Sequence, residues 1–257
     1  MKHQIPLGRP NKLRSDDEHS EFKQRAETDS AKRLKHANIP IRFHGSTWDD
    51  YQPTAGIKAS GGYEETLLKD VLRQFVDEWH VGQAEGLVLC GDAGRGKTMG
   101  VALLARYLCL EGVWVKFITN VELGEMRKHM FGLNKDTDRA DDSDAEFWTM
   151  YNRHERNLRQ IEYECDLLIL DDVGQEYRAA SDWSASLLSQ TLRRRGDLGK
   201  STVITSNLSR EGWKSYNSSL YSFLHEVGGG EVLEINFGAD HRERPSRFRR
   251  RSSVAAR

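Results

Sequence analysis

Leu87-Val88-Leu89-Cys90-Gly91-Asp92-Ala93-Gly94-Arg95-Gly96-Lys97-Thr98 is an apolar run that feeds directly into the spacing G-x-x-x-x-G-K-[ST]. Each residue type in that spacing has a physical job. Glycines at 91, 94 and 96 open backbone conformations closed to residues with a Cβ, so successive N–H groups can turn inward around phosphate oxygens. Lys97 sets its ammonium against β- and γ-phosphates, Thr98 offers its hydroxyl to Mg²⁺, and a helix starting there points its positive end at the anion. Leu87 to Cys90 reads as a buried strand and Val101 to Leu108 as a helix, which supplies the strand–loop–helix setting that the spacing requires. The stretch predicts a nucleoside-triphosphate site formed by Gly91, Asp92, Ala93, Gly94, Arg95, Gly96, Lys97, Thr98 and Met99, with ATP and Mg²⁺ as its ligands.

Working outward, Asp166-Leu167-Leu168-Ile169-Leu170-Asp171-Asp172-Val173-Gly174 is the second strong signal. A continuous apolar run ending in acids is how a central parallel strand delivers carboxylates to the ligand edge of a sheet. Asp171 is the candidate Mg²⁺ ligand with Thr98, directly or through water. Asp172 is the candidate group that orients and deprotonates an attacking water. The alternative for the pair alone is a strand followed by helix-capping acids. Ser201-Thr202-Val203-Ile204-Thr205-Ser206-Asn207-Leu208 is another buried run, and its Asn207 sits where an amide can touch the γ-phosphate or the water; elsewhere such an Asn is a turn or N-cap residue.

The remaining stretches read in turn as helix and strand patterns. Ile39 to Tyr51 is aromatic and docks on the core. Leu67, Leu68, Val71, Leu72, Phe75, Val76 and Trp79 recur at helical spacing. Val113 to Ile118 reads as a strand, Val121 to Met130 as a helix, and the acidic stretch Gly132 to Asp144 as a surface loop. Phe147 to Tyr163, with Trp148, Tyr151, Arg153, Arg156 and Arg159, has a helical pattern and the look of an insertion. Trp183, Leu187, Leu188 and Leu192 mark a helix ending in Arg193-Arg194-Arg195-Gly196, and Val232 to Phe237 is a last strand.

Formal net charge is −1 over 257 residues although 30% of residues are charged, so nucleic-acid affinity has to come from local patches. Cys90, Cys109 and Cys165 lie far apart in or beside apolar runs, which gives neither a zinc spacing nor a disulfide framework. No run approaches the roughly twenty apolar residues of a membrane span and no hydrophobic signal core opens the chain, so the expected location is cytoplasmic. Three regions are expected: a charged arm over 1–37, helical from about Asp16, a nucleotide-binding domain over 38–242, and an arginine-rich tail over 243–257. The arm is either solvated or partner-binding. The tail either grips phosphates or keeps the chain soluble.

In this order the pieces resemble the AAA+ ATPases of the DnaC, DnaI and IstB type, which include replicative helicase loaders. The resemblance runs from about Ile39 to Arg242. It rests on Ile39-Pro40-Ile41-Arg42-Phe43 with the aromatics after it, the phosphate loop, Leu168 to Gly174, Ile204 to Leu208, and Asp240-His241-Arg242. It implies a RecA-like α/β P-loop fold, a parallel sheet sandwiched by helices, and an ATPase acting in DNA replication. The implied partners are a replicative DNA helicase, single-stranded DNA and further copies of the chain assembled on either. Lys97, Asp171, Asp172, Asn207 and Arg242 become the catalytic set, Asn207 as the sensor on the fourth strand and Arg242 as a late arginine contacting phosphate in cis. Phe147 to Tyr163 falls where loaders and initiators carry an extra helix implicated in contacting single-stranded DNA.

Two departures follow from the same comparison. The family carries an arginine shortly before the final strand that a neighbouring subunit uses, whereas Ser218 to His225 has none, so hydrolysis is expected to be slow unless Arg210 or another arginine substitutes. The N-terminal arm also lacks cysteines for the zinc site some relatives carry. The competing functions are an IstB-like transposition helper, a non-hydrolysing ATP-dependent DNA-binding adaptor, and a small-molecule kinase. Asn207 and the lack of an arginine-rich acceptor lid count against the last.

Overall fold

A strand buried on both faces has to be covered by helices on both, and parallel pairing with helical crossovers is the arrangement that provides them. The computed structural model describes residues 29–58, 65–137, 144–174, 182–227 and 232–240. In it β3 (Leu87–Cys90), β4 (Val115–Thr119), β5 (Leu167–Val173), β6 (Ser201–Ser206) and β7 (Leu233–Glu234) form a five-stranded sheet in the order β4-β5-β6-β3-β7. All four pairings are parallel. The fold is thus the α/β P-loop sandwich that the family resemblance implies.

Successive residues of each strand feed opposite layers. Leu87, Leu89, Leu167 and Ile169 pack with Leu68 and Leu72 of α2 (Leu68–Glu78) and with Val101, Leu104 and Leu108 of α3 (Lys97–Leu110). Val88, Cys90, Leu168 and Leu170 face Leu123 and Met130 of α4 (Asn120–Asp136), Leu158 of α5 (Ala145–Arg159), Leu188 and Leu192 of α6 (Asp182–Asp197), Trp213 of α7 (Arg210–Tyr216) and Leu224 of α8 (Ser218–Val227). Each fully buried leucine or isoleucine contributes on the order of 2 kcal/mol of apolar transfer. Among the described residues no helix is long and apolar enough to cross a membrane.

Three local expectations need revision. The stretch from Gly132 to Asp144 begins as helix, because α4 runs on to Asp136 with Leu133 buried one turn after Met130. Residues 138–143 of that stretch lie outside the described residues. The last strand is shorter than Val232 to Phe237, with two laddered residues and an isolated antiparallel bridge from Phe237 to Gly56. A two-stranded antiparallel ribbon, β1 (Gly56–Lys58) with β2 (Glu65–Leu67), precedes α2, so Leu67 of the helical stripe belongs to a strand.

The helical pattern of Phe147 to Tyr163 resolves into α5 and a π-helical turn, Gln160–Glu164. That turn carries Glu162, which is 3% exposed and paired with Arg127 of α4 and, at 2.9 Å, Arg194 of α6. On the far side, a helix described over 29–36 (α1) ends at Ala37 and Asn38, which hydrogen-bond the backbone of Phe117 and so cover the outer edge of β4. Covering an edge strand removes a template for unwanted pairing. The earlier part of the arm lies outside the described residues.

Candidate nucleotide site

Parallel strands bring their C-terminal ends to one edge of the sheet, and β3, β5 and β6 are adjacent there. From β3 the chain turns at Gly91, whose N–H donates to the Leu208 carbonyl at 2.9 Å, and enters α3 through Gly96, the N-cap residue at φ 87°. A left-handed residue there is tolerable because glycine has no Cβ. Gly94, at φ 78°, also takes a left-handed conformation, and a Cβ on it would displace the carboxylate of Asp240. Loop and C-terminal segment are therefore in contact, and the phenol of Tyr51 donates to the Gly96 carbonyl at 3.2 Å on another side.

Lys97 is 5% exposed and donates to the carbonyls of Gly91 at 2.8 Å and Asp92 at 2.7 Å. Burial pushes its ammonium down to about 8, against the pull of Asp172, Asp92 and Asp171 in the other direction. Thr98 donates from Oγ1 to Asp171 Oδ1 at 3.1 Å, joining the loop to the end of β5. Asp171 is 3% exposed, and burial raises its pKa from the ordinary carboxylate value while the Thr205 and Thr98 hydroxyls oppose that rise. Asn207 Nδ2 donates to Asp172 Oδ1 at 3.1 Å. Asp92 and Arg95 form an ion pair at 3.1 Å on the outer rim of the loop.

Lys97, Thr98, Asp172 and Asn207, from three separate stretches, thus meet at one edge around a cavity of about 190 Å³ that Phe43, Gly94 and Met99 also line, and the buried Asp171 joins them through its hydrogen bond from Thr98. Arg242 lies outside the described residues, as do His241 and the arginine-rich end. Sequence inspection passed over three neighbours of the site. Thr205 donates to Asp171 and accepts from the Asp172 amide, Tyr51 holds the loop, and Phe43 lines the cavity. Thr205 had a signal, a hydroxyl in a fully buried strand two residues before Asn207.

The donor set fits a magnesium-bound triphosphate. A hydroxyl and a carboxylate side by side are hard oxygen ligands of the kind Mg²⁺ takes, and a caged ammonium beside a helix N-terminus suits phosphate. No group of three or more His, Cys, Asp or Glu among the described residues could hold another metal, and the three cysteines are free and buried.

Two surfaces outside the pocket bear on function. Arg210, the candidate substitute arginine, donates from Nε and Nη2 to the Val232 carbonyl at 3.1 and 2.7 Å, so its guanidinium is tied to its own chain. On α5, Phe147 and Tyr151 turn partly into the core, which leaves Met150, Arg153, Arg156 and Arg159 on the solvent side.

Residues 19–219 match the family described as IstB-like ATP binding protein. No curated protein matches the chain by sequence. The fold is similar to that in the crystal structure of the DnaC helicase loader, at 23% identity and a TM-score of 0.54 over 77% of this chain and 100% of that one. It is similar to DnaI at 20% identity and 0.52, covering 79% and 94% of the two chains. The replication initiator DnaA bound to AMPPCP and single-stranded DNA gives 16% and 0.50, covering 79% of this chain and 53% of that one. At these identities the likeness is one of fold.

Proposed function

The chain belongs to the IstB-like ATP-binding protein family, and from that premise we propose that it is a slow, magnesium-dependent ATPase that helps place a replicative helicase on single-stranded DNA. The observation that carries the ATPase part is the 3.1 Å hydrogen bond from Thr98 to Asp171, with Asp172 and Asn207 joined beside it. Residues 91 to 99 cradle the triphosphate through backbone N–H groups, and Lys97 gives its charge to the β- and γ-phosphates. Thr98 and Asp171 are the metal ligands. Mg²⁺, when bound, neutralises phosphate charge that would otherwise oppose attack. Asp172 takes the proton of the attacking water, and Asn207 fixes the direction in which that carboxylate points. Arg242 is assigned to phosphate contact from its place in the sequence.

Slow turnover is part of the same proposal. α8 carries no arginine, and Arg210 is committed to the Val232 carbonyl. An arginine delivered to the transition state is worth roughly a thousandfold or more, so its lack leaves a site that holds ATP far longer than it cleaves it. A partner or a neighbouring copy on DNA then becomes the natural source of acceleration.

The loader role is supported by the resemblance of Ile39 to Phe43 and the aromatics after it to the helicase-loader type, and by the arginine-bearing outer side of α5, which suits a single strand's phosphates. The arm over 1–37 is the assigned helicase contact and the tail over 243–257 an additional phosphate grip. A second reading, compatible with the same IstB-like family, is a transposition helper acting on duplex DNA. Co-purification with a replicative helicase, with and without ATP, tests the first. A preference for single-stranded over double-stranded DNA separates it from the second.

A further inference from the structure

β5 and β6 run in step from Leu167 opposite Ser201 to Leu170 opposite Ile204, and pairing resumes at Val173 opposite Ser206. β5 therefore carries an extra residue in the stretch that holds Asp171 and Asp172. In an unbroken strand two consecutive side chains point to opposite faces, and only one of these acids would reach the ligand edge. Here Asp172 stands at φ 57°, a left-handed value unusual for a residue with a Cβ, and the bulge turns both carboxylates toward the loop. Asp171 meets Thr98 and Asp172 meets Asn207.

A single side chain bridges the bulge. Thr205, 0% exposed, donates its hydroxyl proton to Asp171 Oδ1 and accepts the Asp172 N–H at 3.0 Å. A hydroxyl has one proton and two lone pairs, so it can serve both acids at once. The next residue secures the far side. Ser206 donates to the Val173 carbonyl at 2.7 Å and accepts the Leu208 N–H at 3.1 Å.

We propose that Thr205 is a positioning residue of the ATP site, whose hydroxyl holds the β5 bulge in the form that aims Asp171 at the metal position and Asp172 at the water position. This rests on the ATPase reading above. It differs from a packing role because valine matches threonine in volume and lacks only the hydrogen-bonding hydroxyl.

The test compares Thr205→Val and Thr205→Ser with the unaltered protein by thermal melting, by titration of a fluorescent ATP analogue with and without Mg²⁺, and by steady-state hydrolysis. The valine variant is expected to bind the analogue normally without Mg²⁺, to lose the gain in affinity that Mg²⁺ brings, and to show kcat lower by on the order of a hundredfold with KM little changed. The serine variant restores both. Should valine prevent folding, Thr205→Ala carries the same expectation. A valine or alanine variant that keeps the Mg²⁺ gain and the turnover overturns the proposal and leaves the ATPase reading standing, as does a folded serine variant that fails to rescue. If the unaltered protein never hydrolyses ATP but the Mg²⁺ gain still follows the hydroxyl, the ATPase reading falls and the positioning role stands.

Discussion

The hydroxyl of Thr98 and the carboxylate of Asp171 lie 3.1 Å apart, although the two residues are separated by 73 positions in the chain. That contact closes the distance between the phosphate loop and the acidic end of β5. It depends on strand order, because β6 alone separates β5 from β3 and all three strands run the same way.

Lys97 is the first residue to test. Its ammonium already bridges the carbonyls of Gly91 and Asp92. Lys97→Ala removes both the charge that a triphosphate would meet and a tie within the loop. ATP affinity is expected to fall by about a hundredfold or more, read by equilibrium titration, while melting changes little.

The same side chain predicts a pH dependence. Burial pushes its pKa from 10.5 down to about 8, so the free protein carries the charge below that value and loses it above. A bound triphosphate favours the charged form, so affinity is greatest below the free-protein value and declines as pH rises through it. Between pH 7.5 and 9 the loss is expected to be about tenfold, measured by titration at constant ionic strength.

Arg195 makes a contrasting prediction about stability. It is 0% exposed and donates to the carbonyls of Ile161, Cys165 and Ser201 and to the Thr202 hydroxyl, stitching together the starts of β5 and β6. Arg195→Ala strands those acceptors, at about 1–3 kcal/mol for each left without a partner. Urea denaturation is expected to show a loss of at least about 3 kcal/mol. Arg193, stacked over Phe223 at 4.5 Å on the surface, is expected to cost less than about 1 kcal/mol on truncation.

That contrast shows where the sequence is legible and where it is not. Glycine and lysine spacing locates the phosphate loop, and apolar runs locate β3 and the body of β5, because both are local patterns. Nothing local distinguishes Arg195 from Arg193, since burial depends on which strands arrive at the end of α6. The β5 bulge is hidden for the same reason. Asp171-Asp172 reads as two acids after a strand, and only pairing with β6 shows that one extra residue turns both the same way. The short β7 and the β1–β2 ribbon offered too few alternating positions to stand out.

Phosphate release from ATP by the unaltered protein and by Asp172→Asn, with Mg²⁺ and single-stranded DNA present, tests the central claim most directly. The variant keeps the Asn207 neighbourhood nearly unchanged in shape but cannot accept a proton from water. The expected result is slow, magnesium-dependent turnover that drops by about a hundredfold or more in the variant, with ATP binding retained. Equal rates in the two proteins would contradict the claim that the loop after β3 and the acids ending β5 form one hydrolytic site.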